Sequence, residues 1–327
     1  MTHFLISRTD NLGDVALTFP LCGLIKKLYP NSKISFLGKT YTSSLLKLNE
    51  DIDQIFCWDQ WALNKDDQII ERLKDQQIDV VIHVFPNYRI AKLCRNASIP
   101  KRIGTFSRIA HFFTCNLKPF IFRKKSNLSE AQLNCLLLKP LIDDIRIPRR
   151  EELLNYCNIN LEKFKRAPFK EISKEKLNLV IHPKSNGSAY EWPLYKYREF
   201  IESLVPEDYN LIISGTEGEK NEIEQELLNP LGDRVQSIVG KYDLEEYIAF
   251  LSQTDAMIAS STGPLHISSL LGNFTLGLFP PDRPMFPMRW LPIGRRISFL
   301  TYRKGQAMKD LPIQLVVQKI SKWYKLF

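Results

Sequence analysis

The chain has 327 residues, of which 44% are hydrophobic, and a formal net charge of +9. It is too long for a single hydrophobic core, so two domains are expected, and no apolar stretch is long enough to span a bilayer. Six cysteines without a Cys-x-x-Cys pair, in a chain whose start does not resemble a secretion signal, favour reduced cytosolic thiols over disulfides or a zinc site.

The first predicted element is a strand over residues 4–6 that leads through a polar loop into an apolar helix over residues 15–28. Pro20 lies inside this helical pattern, which predicts a kink or a late start. Asp14 lies where the helix begins, and the helix dipole favours a carboxylate there in its ionised form. A simple capping residue is one interpretation of Asp14, and a general base at the carboxyl end of a strand is the other.

Strand and helix signals then alternate through both halves of the chain, which predicts α/β layers built on parallel sheets. Further strands are predicted at residues 34–37, 54–57, 80–84, 177–182, 210–214, 235–238 and 256–259. Helices are predicted between them at residues 43–48, 67–74, 194–204, 219–228 and 244–251. The polar stretch 161–176 is predicted to be a linker, and residues 313–327 have the pattern of an amphipathic helix.

The strand at residues 256–259 is followed by Ser260-Ser261-Thr262-Gly263-Pro264-Leu265-His266 and then by an apolar helical segment. Free backbone N–H groups at the start of a helix bind anions, and a glycine there allows a phosphate to approach the backbone closely. His266 lies one turn into the helix, where it can donate to the same ligand. This pattern predicts a nucleotide diphosphate site, with an ordinary capped turn as the alternative interpretation.

Two more segments accompany that loop: Gly13-Asp14-Val15 near the start, and a loop from His182-Pro183 to Trp192-Pro193. In this order, with Thr262-Gly263-Pro264-Leu265-His266, they resemble the heptosyltransferase family of lipopolysaccharide-core glycosyltransferases (glycosyltransferase family 9). Each segment lies at a junction from strand to loop to helix, and together they extend over nearly the whole chain.

The resemblance implies a GT-B fold, in which two Rossmann-like domains with parallel sheets face each other across a cleft. Residues 1–165 would form the acceptor-binding domain, residues 166–312 the nucleotide-sugar domain, and residues 313–327 a helix that crosses back to the first domain. The implied reaction is inverting, metal-independent transfer of heptose from ADP-heptose to the inner core of lipopolysaccharide, either Kdo–lipid A or a heptosylated core. No cofactor is implied, and the implied location is the cytoplasmic face of the inner membrane, with peripheral association.

By the same resemblance, Asp14 is the catalytic base. The expected donor-binding residues are Ser185, Asn186, Gly187, Ser188, Glu217, Ser261, Thr262, Gly263, Pro264 and His266. The expected acceptor-binding residues are Arg8, Asn11, Gly13, Arg102, Arg108 and Arg123. No metal ligand is expected, because the only Asp-x-Asp, Asp51-Ile52-Asp53, precedes a strand and is typical of a turn.

Basic residues are concentrated in two segments, 80–129 and 283–309, that contain neither Asp nor Glu. Such segments attract polyanions or anionic membrane surfaces. No nucleic-acid module is recognisable, so an anionic glycolipid acceptor is the preferred partner and nucleic acid is not. Five phenylalanines lie among the charges of the first segment, and some of them are expected in the core: Phe106, Phe112, Phe113, Phe120 and Phe122.

Two departures from the family pattern fall on the donor side. Tyr190 and Glu191 stand before Trp192-Pro193, where members of the family usually have a basic residue, and Lys184 is a candidate substitute. Ser261 stands where many members have Asp. A different nucleotide sugar used on a cell-surface glycan, or a non-catalytic protein that binds a nucleotide or an anionic glycan, are therefore the alternatives.

Overall fold

The computed structural model describes residues 1–142 and 144–326, and the chain divides into two compact units, Met1–Asn160 and Leu161–Phe327. The domain boundary expected after residue 165 lies a few residues beyond this division. Each unit contains one β-sheet, and every strand pairing in the described sheets is parallel.

The first unit has a five-stranded sheet in the order β3-β2-β1-β4-β5. Its strands are β1 (His3–Ser7), β2 (Lys33–Gly38), β3 (Gln54–Cys57), β4 (Val80–His83) and β5 (Lys101–Ile103). All residues of β1 and β4 are buried, as expected for strands that are covered on both faces. The strand β5 follows a polar segment and was not predicted from the sequence.

Eight α-helices accompany this sheet in the described part of the unit. They are α1 (Leu12–Ala16), α2 (Phe19–Leu28), α3 (Ser43–Leu46), α4 (Trp58–Trp61), α5 (Asp66–Asp75), α6 (Tyr88–Asn96), α7 (Ile109–Thr114) and α8 (Glu130–Cys135). Helical turns of the 3-10 type lie at Thr40–Thr42, Leu136–Leu138 and Arg150–Tyr156. The single helix expected over residues 15–28 is two helices, and Pro20 lies in the first turn of α2, where the missing N–H costs nothing.

The second unit has a six-stranded sheet in the order β11-β10-β9-β6-β7-β8. Its strands are β6 (Leu177–His182), β7 (Tyr209–Ile213), β8 (Gln236–Ser237), β9 (Ala256–Ser260), β10 (Phe274–Phe279) and β11 (Ile297–Thr301). The bounds predicted for β6 are confirmed, and all six of its residues are buried, as is typical of a central parallel strand. The strands β10 and β11 were not predicted.

The helices of the second unit lie between and after these strands. They are α9 (Leu194–Glu202), α10 (Lys220–Ile223), α11 (Asn229–Leu231), α12 (Leu244–Leu251), α13 (Gly263–Leu270), α14 (Pro287–Trp290) and α15 (Ile313–Tyr324). A π-helical segment, Glu224–Leu228, joins α10 to α11, and 3-10 turns lie at Glu162–Phe164, Glu217–Glu219, Gly232–Arg234 and Met308–Asp310. No helix in the described ranges is both long and apolar enough to cross a bilayer.

The last helix, α15, packs within the second unit. Its buried residues Val316, Ile320 and Trp323 belong to the same hydrophobic cluster as the strands of the second sheet. The Trp323 ring stacks on Phe274 with a centroid distance of 5.5 Å. The apolar face of α15 is therefore buried in the second unit, and the crossing to the first domain stays a prediction.

The five phenylalanines that lie among the charges of the first basic segment are all exposed, which corrects the expectation that some of them lie in the core. Their exposed fractions range from 42% for Phe106 to 73% for Phe120. The core of this part of the chain is made instead by smaller side chains of α6, including Ile90, Leu93 and Cys94.

A close backbone contact between α2 and the turn Arg150–Tyr156 gives a test of the packing in the first unit. A Cβ atom on Gly23 would lie 2.3 Å from the carbonyl oxygen of Tyr156, and backbone atoms cannot move away as a flexible side chain can. We expect Gly23→Ala to lower the free energy of unfolding by roughly 1–3 kcal/mol, in spite of the better helix propensity of alanine. Urea denaturation followed by circular dichroism measures this change. Gly218→Ala, at a site with open space, is the control and should change it by less than about 0.5 kcal/mol; equal effects of the two variants would contradict the contact.

Candidate functional site

The loop that follows β1 lies at the point where the strand order of the first sheet reverses. The strand β1 is central, with β2 on one side and β4 on the other, and open parallel sheets bind ligands at the carboxyl ends of such strands. The residues after β1 are Arg8, Thr9, Asp10 and Asn11, and α1 begins at Leu12. Asp14 lies in the first turn of α1, as the sequence predicts.

The guanidinium group of Arg8 is 3% exposed and lies between two carboxylates of this loop. Its Nε donates to Asp10 Oδ1 at 2.8 Å, and its Nη2 donates to Asp10 Oδ2 at 3.0 Å. The same Nη2 donates to Asp14 Oδ1 in a short ion pair. Arg8 is therefore an internal partner of both carboxylates, and it is too buried to serve as the acceptor contact expected from the sequence.

Helix α8 completes this charge cluster from far along the chain. Arg8 Nη1 lies 3.3 Å from Asn134 Oδ1 and 3.8 Å from Glu130 Oε1. Arg123 forms a short ion pair with the same Glu130 oxygen and donates to Asn134 Oδ1 at 2.9 Å. Arg123 is thus a structural partner in the cluster, which corrects its assignment to the acceptor.

Sequence reasoning missed Glu130 and Asn134. The available signal was the capping box of α8, in which the Ser129 hydroxyl accepts from the Gln132 amide and Gln132 accepts from the Ser129 amide. That signal predicts where the helix starts, but not which charges its side chains meet.

Burial raises the pKa of Asp14 to about 6, because the ionised carboxylate loses water. The Arg8 guanidinium opposes this shift, and the negative charges of Asp10 and Glu130 add to it. Those three carboxylates in turn raise the pKa of Arg8 against the effect of burial, so Arg8 stays charged. An ionised carboxylate with a pKa near neutrality is suited to accept a proton in a reaction.

The other acceptor-side candidates lie in different settings. Asn11 is the exposed N-cap of α1 and its side chain makes no capping hydrogen bond, and Gly13 is partly exposed in the first turn. Arg102 donates to the carbonyl oxygen of Thr114 at 2.9 Å and also to that of Ile99, so it fixes the backbone around α7. Arg108 is the exposed residue before α7. Of the six expected acceptor contacts, Asn11 and Arg108 are exposed, Gly13, Arg102 and Arg123 are partly exposed, and Arg8 is buried.

In the second unit, the loops after β6 and β9 lie side by side at the reversal of strand order in the second sheet. The two strands pair with each other, and His182 at the end of β6 is opposite Ala259 in β9. The hydroxyl of Ser260 donates to the carbonyl oxygen of Tyr190 at 2.8 Å, which joins the two loops. The two donor-side motifs of the sequence are therefore brought to one edge of the sheet.

The start of α13 offers unpaired polar groups at this edge. Thr262 is the N-cap in an extended conformation, and Gly263 and Pro264 form the first turn. Thr262 Oγ1 and His266 Nδ1 are buried and have no hydrogen-bond partner within the described structure. Burial lowers the pKa of His266 to about 4, so the imidazole is neutral at pH 7.

Because unsatisfied buried polar atoms are costly, two such atoms beside the free N–H groups of a helix terminus indicate a ligand site. Ser261 is partly exposed just before this turn.

The loop after β6 is held in an unusual backbone conformation by its own side chains. Asn186 and Gly187 have φ values of 47° and 75°, in the left-handed region that asparagine and glycine adopt most readily. The backbone N–H of Asn186 donates to Glu219 Oε1 at 3.1 Å. The Ser185 hydroxyl donates to Glu191 Oε1 at 2.7 Å, and the Ser188 hydroxyl donates to the Ser185 carbonyl at 2.7 Å. Ser185 and Ser188 therefore shape the loop, while the open side of Gly187 faces no atom within 4 Å.

This loop borders a depression of about 550 Å³, with Gly218, Glu219 and Glu222 on its other side. Lys184 lies in it and pairs with Glu191 Oε2 at 2.7 Å and with Glu222 Oε1 at 2.8 Å. These carboxylates raise the pKa of Lys184 against the effect of burial. The candidate substitute for the family's basic residue is therefore already neutralised by two glutamates.

Glu217, expected on the nucleoside, is exposed in the turn after β7 and forms a surface pair with Lys220 at 3.6 Å. Asp51 and Asp53 lie in the turn before β3, and Asp53 accepts from Lys26 Nζ and from the Ile34 amide at 2.7 Å each. No group of three or more His, Cys, Asp or Glu side chains in the described residues is arranged to hold a metal ion.

Comparisons with known proteins agree over most of the length. The sequence model of glycosyltransferase family 9 (heptosyltransferase) matches residues 67–320. A Haemophilus influenzae protein is 30% identical over 303 residues, which cover 90% of this chain and 87% of that protein. It is named as a glycosyltransferase, with no sugar specified. Lipopolysaccharide heptosyltransferase 3 of Escherichia coli is 22% identical, over 85% of this chain and 83% of its own length.

The solved structure of the Escherichia coli ADP-heptose lipopolysaccharide heptosyltransferase II superposes with a TM-score of 0.78 at 16% identity, over 100% of this chain and 99% of that one. A likeness at this identity shows a shared fold, and the GT-B class predicted from the sequence is confirmed. Since the family match extends over most of the chain, the chain belongs to glycosyltransferase family 9 (heptosyltransferase) and is a glycosyltransferase.

Proposed function

We propose that the protein transfers heptose from ADP-heptose to the inner core of lipopolysaccharide, with inversion at the anomeric carbon and without a metal ion. The observation that carries this proposal is Asp14, a carboxylate with a side chain only 15% exposed, at the switch point of the first sheet, whose pKa is raised to about 6. The names of the two Escherichia coli relatives, a lipopolysaccharide heptosyltransferase and an ADP-heptose transferase, support the donor and the acceptor.

In the proposed reaction, an acceptor hydroxyl attacks the anomeric carbon of the heptose. The new C–O bond forms as the bond from that carbon to the β-phosphate oxygen breaks, and ADP leaves with the bonding electrons. Asp14 takes the hydroxyl proton, so that no charged oxygen has to form in advance. A single displacement of this kind inverts the anomeric configuration.

The start of α13 is suited to stabilise the leaving diphosphate. Its free backbone N–H groups and the hydroxyl of Thr262 can donate to phosphate oxygens, and the helix dipole favours negative charge there. His266 is neutral and its Nδ1 is free to hydrogen-bond the ligand. These groups are fixed before the reaction, so the charge that develops on the leaving group needs no rearrangement of the protein.

The remaining donor-side residues have separable roles in this proposal. Asn186 and Gly187 present an open backbone surface, Ser261 lies beside the diphosphate, and Glu217 is exposed where it can accept from ribose hydroxyls. Ser185 and Ser188 act by holding the loop. On the acceptor side, Asn11, Gly13 and Arg108 contact an anionic glycolipid, Kdo–lipid A or a heptosylated core, at the cytoplasmic face of the inner membrane. The protein associates with that membrane peripherally.

A different nucleotide sugar is the second candidate, and the pairing of Lys184 favours it. Because Lys184 is neutralised by Glu191 and Glu222, this protein does not offer a free lysine beside the loop after β6. The depression there contains three glutamates and one lysine, which suits a sugar with hydroxyl groups or a positive charge better than an additional phosphate.

Turnover of ADP-heptose with heptose-free Kdo–lipid A, with and without EDTA, tests the proposal. Transfer in both conditions supports it. Binding of ADP-heptose by calorimetry without transfer would move the acceptor to an already heptosylated core. If ADP-heptose is neither bound nor used for transfer, the donor assignment is contradicted. A panel of nucleotide sugars would then identify the sugar of the second candidate.

Asp14→Asn tests the base. We expect kcat to fall by roughly 10²–10⁴-fold, the usual contribution of a general base, while the Kd for ADP measured by calorimetry changes by less than about twofold. Asp10→Asn is the matched control, because it removes a carboxylate that contacts the same guanidinium group. It should lower kcat far less, and equal losses in both variants would mean that the carboxylates act only by positioning Arg8.

The pH dependence of kcat/KM gives an independent test. Asp14 accepts a proton only when ionised, and its ionised fraction rises as the pH rises through about 6. We therefore expect kcat/KM to fall about tenfold per unit below pH 6. Glu130→Gln removes a negative neighbour that raises the pKa of Asp14, so the fall of kcat/KM should move to lower pH. If the fall of kcat/KM at low pH does not move in Glu130→Gln, or persists in Asp14→Asn, it reports the titration of a group other than Asp14.

A further inference from the structure

The segment around α7 exposes six large apolar side chains, which we call the apolar patch: Phe106, Ile109, Phe112, Phe113, Phe120 and Phe122. Four of them are more than half exposed, with Ile109 at 84%, Phe120 at 73%, Phe113 at 65% and Phe122 at 61%. Isolated apolar residues on a surface are ordinary, but a contiguous patch marks an interaction site.

The members of the patch contact one another. The Phe106 ring lies 4.6 Å from that of Phe120, measured between centroids, and the Phe112 ring lies 5.1 Å from that of Phe113. An open depression of about 340 Å³ is lined by Phe106, Ile109, Phe112, Phe113 and Phe122, and Phe120 adjoins it through its contact with Phe106. The patch is therefore continuous.

The backbone beneath the patch is firmly held. His111 is buried on the opposite side of α7, and its Nδ1 accepts from the Thr105 amide at 3.0 Å. Arg102 donates to the Thr114 carbonyl at 2.9 Å, and Gly104 approaches His111 so closely that a Cβ atom would lie 2.5 Å from its ring. Ile109, Phe112 and Phe113 are spaced i, i+3, i+4 and form the outward face of the helix.

Positive charges surround this apolar face, and no negative ones occur in the same segment. Lys118 Nζ lies 4.9 Å from the centre of the Phe112 ring, and Arg95 donates to the Phe113 carbonyl at 2.8 Å. Arg108 and Lys125 are exposed beside the ends of the patch, and residues 80–129 contain no Asp or Glu.

We propose that the apolar patch docks the protein on an anionic phospholipid bilayer, with the aromatic side chains entering the interface and the surrounding Lys and Arg binding the headgroups. Segments that bind at membrane interfaces combine an apolar face with basic residues in this way. Burial of the apolar face and attraction of the basic residues to anionic lipids both contribute to binding. The inference deepens the proposed function, because a glycolipid acceptor is itself anchored in a membrane.

A second copy of the chain fits the patch less well, since an isologous contact would bring two sets of positive charges together with no carboxylate between them. A nucleic acid would leave the most exposed side chains, Ile109 and Phe120, without an apolar partner.

Co-sedimentation of the full chain with vesicles measures this docking directly. The vesicles contain one part phosphatidylglycerol to three parts phosphatidylethanolamine, and vesicles of phosphatidylcholine alone serve for comparison. We expect binding to the anionic vesicles at low salt, binding at least tenfold weaker to phosphatidylcholine, and partial loss at physiological salt, where exposed charges are screened beyond about 8 Å.

The combined variant Ile109→Ser, Phe113→Ser, Phe120→Ser should lower the vesicle partition coefficient at least tenfold. Leu63→Ser with Val205→Ser is the matched control, since Leu63 and Val205 are exposed apolar residues outside the patch, and it should leave binding unchanged. Circular dichroism checks that both variants are folded, and Lys125→Glu provides a second change, which should weaken binding to the anionic vesicles alone.

Equal binding of the wild type and the patch variant would overturn the inference, as would equal binding to the two kinds of vesicle. Concentration-dependent dimerisation that the patch variant abolishes, without vesicle binding, would assign the patch to a second copy. Transfer to a deacylated, water-soluble acceptor separates the two proposals. Transfer without vesicle binding would overturn the docking surface and the peripheral membrane association but leave the proposed reaction in place. Vesicle binding without transfer to any acceptor would support the docking surface and contradict the proposed reaction.

Discussion

The buried guanidinium group of Arg8 is the interaction on which the first unit's site depends. A charge that is only 3% exposed must be paired, and Arg8 meets Asp10, Asp14 and Glu130. These contacts fix the end of β1, the start of α1 and the start of α8 relative to one another. With Arg123 included, the described contacts of this cluster bring together two guanidinium groups and three carboxylates.

Burial is the main reason why this carboxylate, although in contact with an arginine, has a raised pKa. An isolated ion pair would lower the pKa of Asp14, but burial and two like charges outweigh the single guanidinium group. The arrangement keeps Asp14 in place through Arg8 while leaving its proton affinity high. The donor side of the proposed reaction relies on a different means, since α13 offers free backbone N–H groups and a neutral His266 to the proposed diphosphate.

The sequence predicted those parts that depend on neighbouring residues. The bounds of β3, β6 and α12 are confirmed, because mainly apolar strand segments or a capping aspartate determine each of them locally. The GT-B class came instead from the resemblance of the three motifs to a family. The strands β10 and β11 were missed although β10 is largely buried, and β11 is partly exposed at the sheet edge, where its apolar pattern is weak.

The cluster around Asp14 could not be predicted, because it depends on contacts that are distant in sequence. Arg8 and Asn134 are 126 positions apart, and no local pattern relates them. The same limit explains the assignments of Arg102 and Arg123 to the acceptor. In a count of net charge, both residues are free cations. In the structure, the planar guanidinium group of Arg102 donates to a carbonyl oxygen and that of Arg123 pairs with a carboxylate, both within the first unit.

Residues 80–129 show why composition alone could not separate surface from core. The segment mixes phenylalanine with Lys and Arg, and hydrophobicity would place the phenylalanines inside and the charges outside. The structure places Arg123 inside, paired with Glu130, and Phe122 outside at 61% exposure, although the two residues are adjacent. Helix α7 likewise buries the polar His111 and exposes the apolar Ile109, which is the reverse of what hydrophobicity predicts. Exposed phenylalanines on a backbone held by buried polar contacts are costly in water, and that cost is offset only where the apolar face meets an apolar partner.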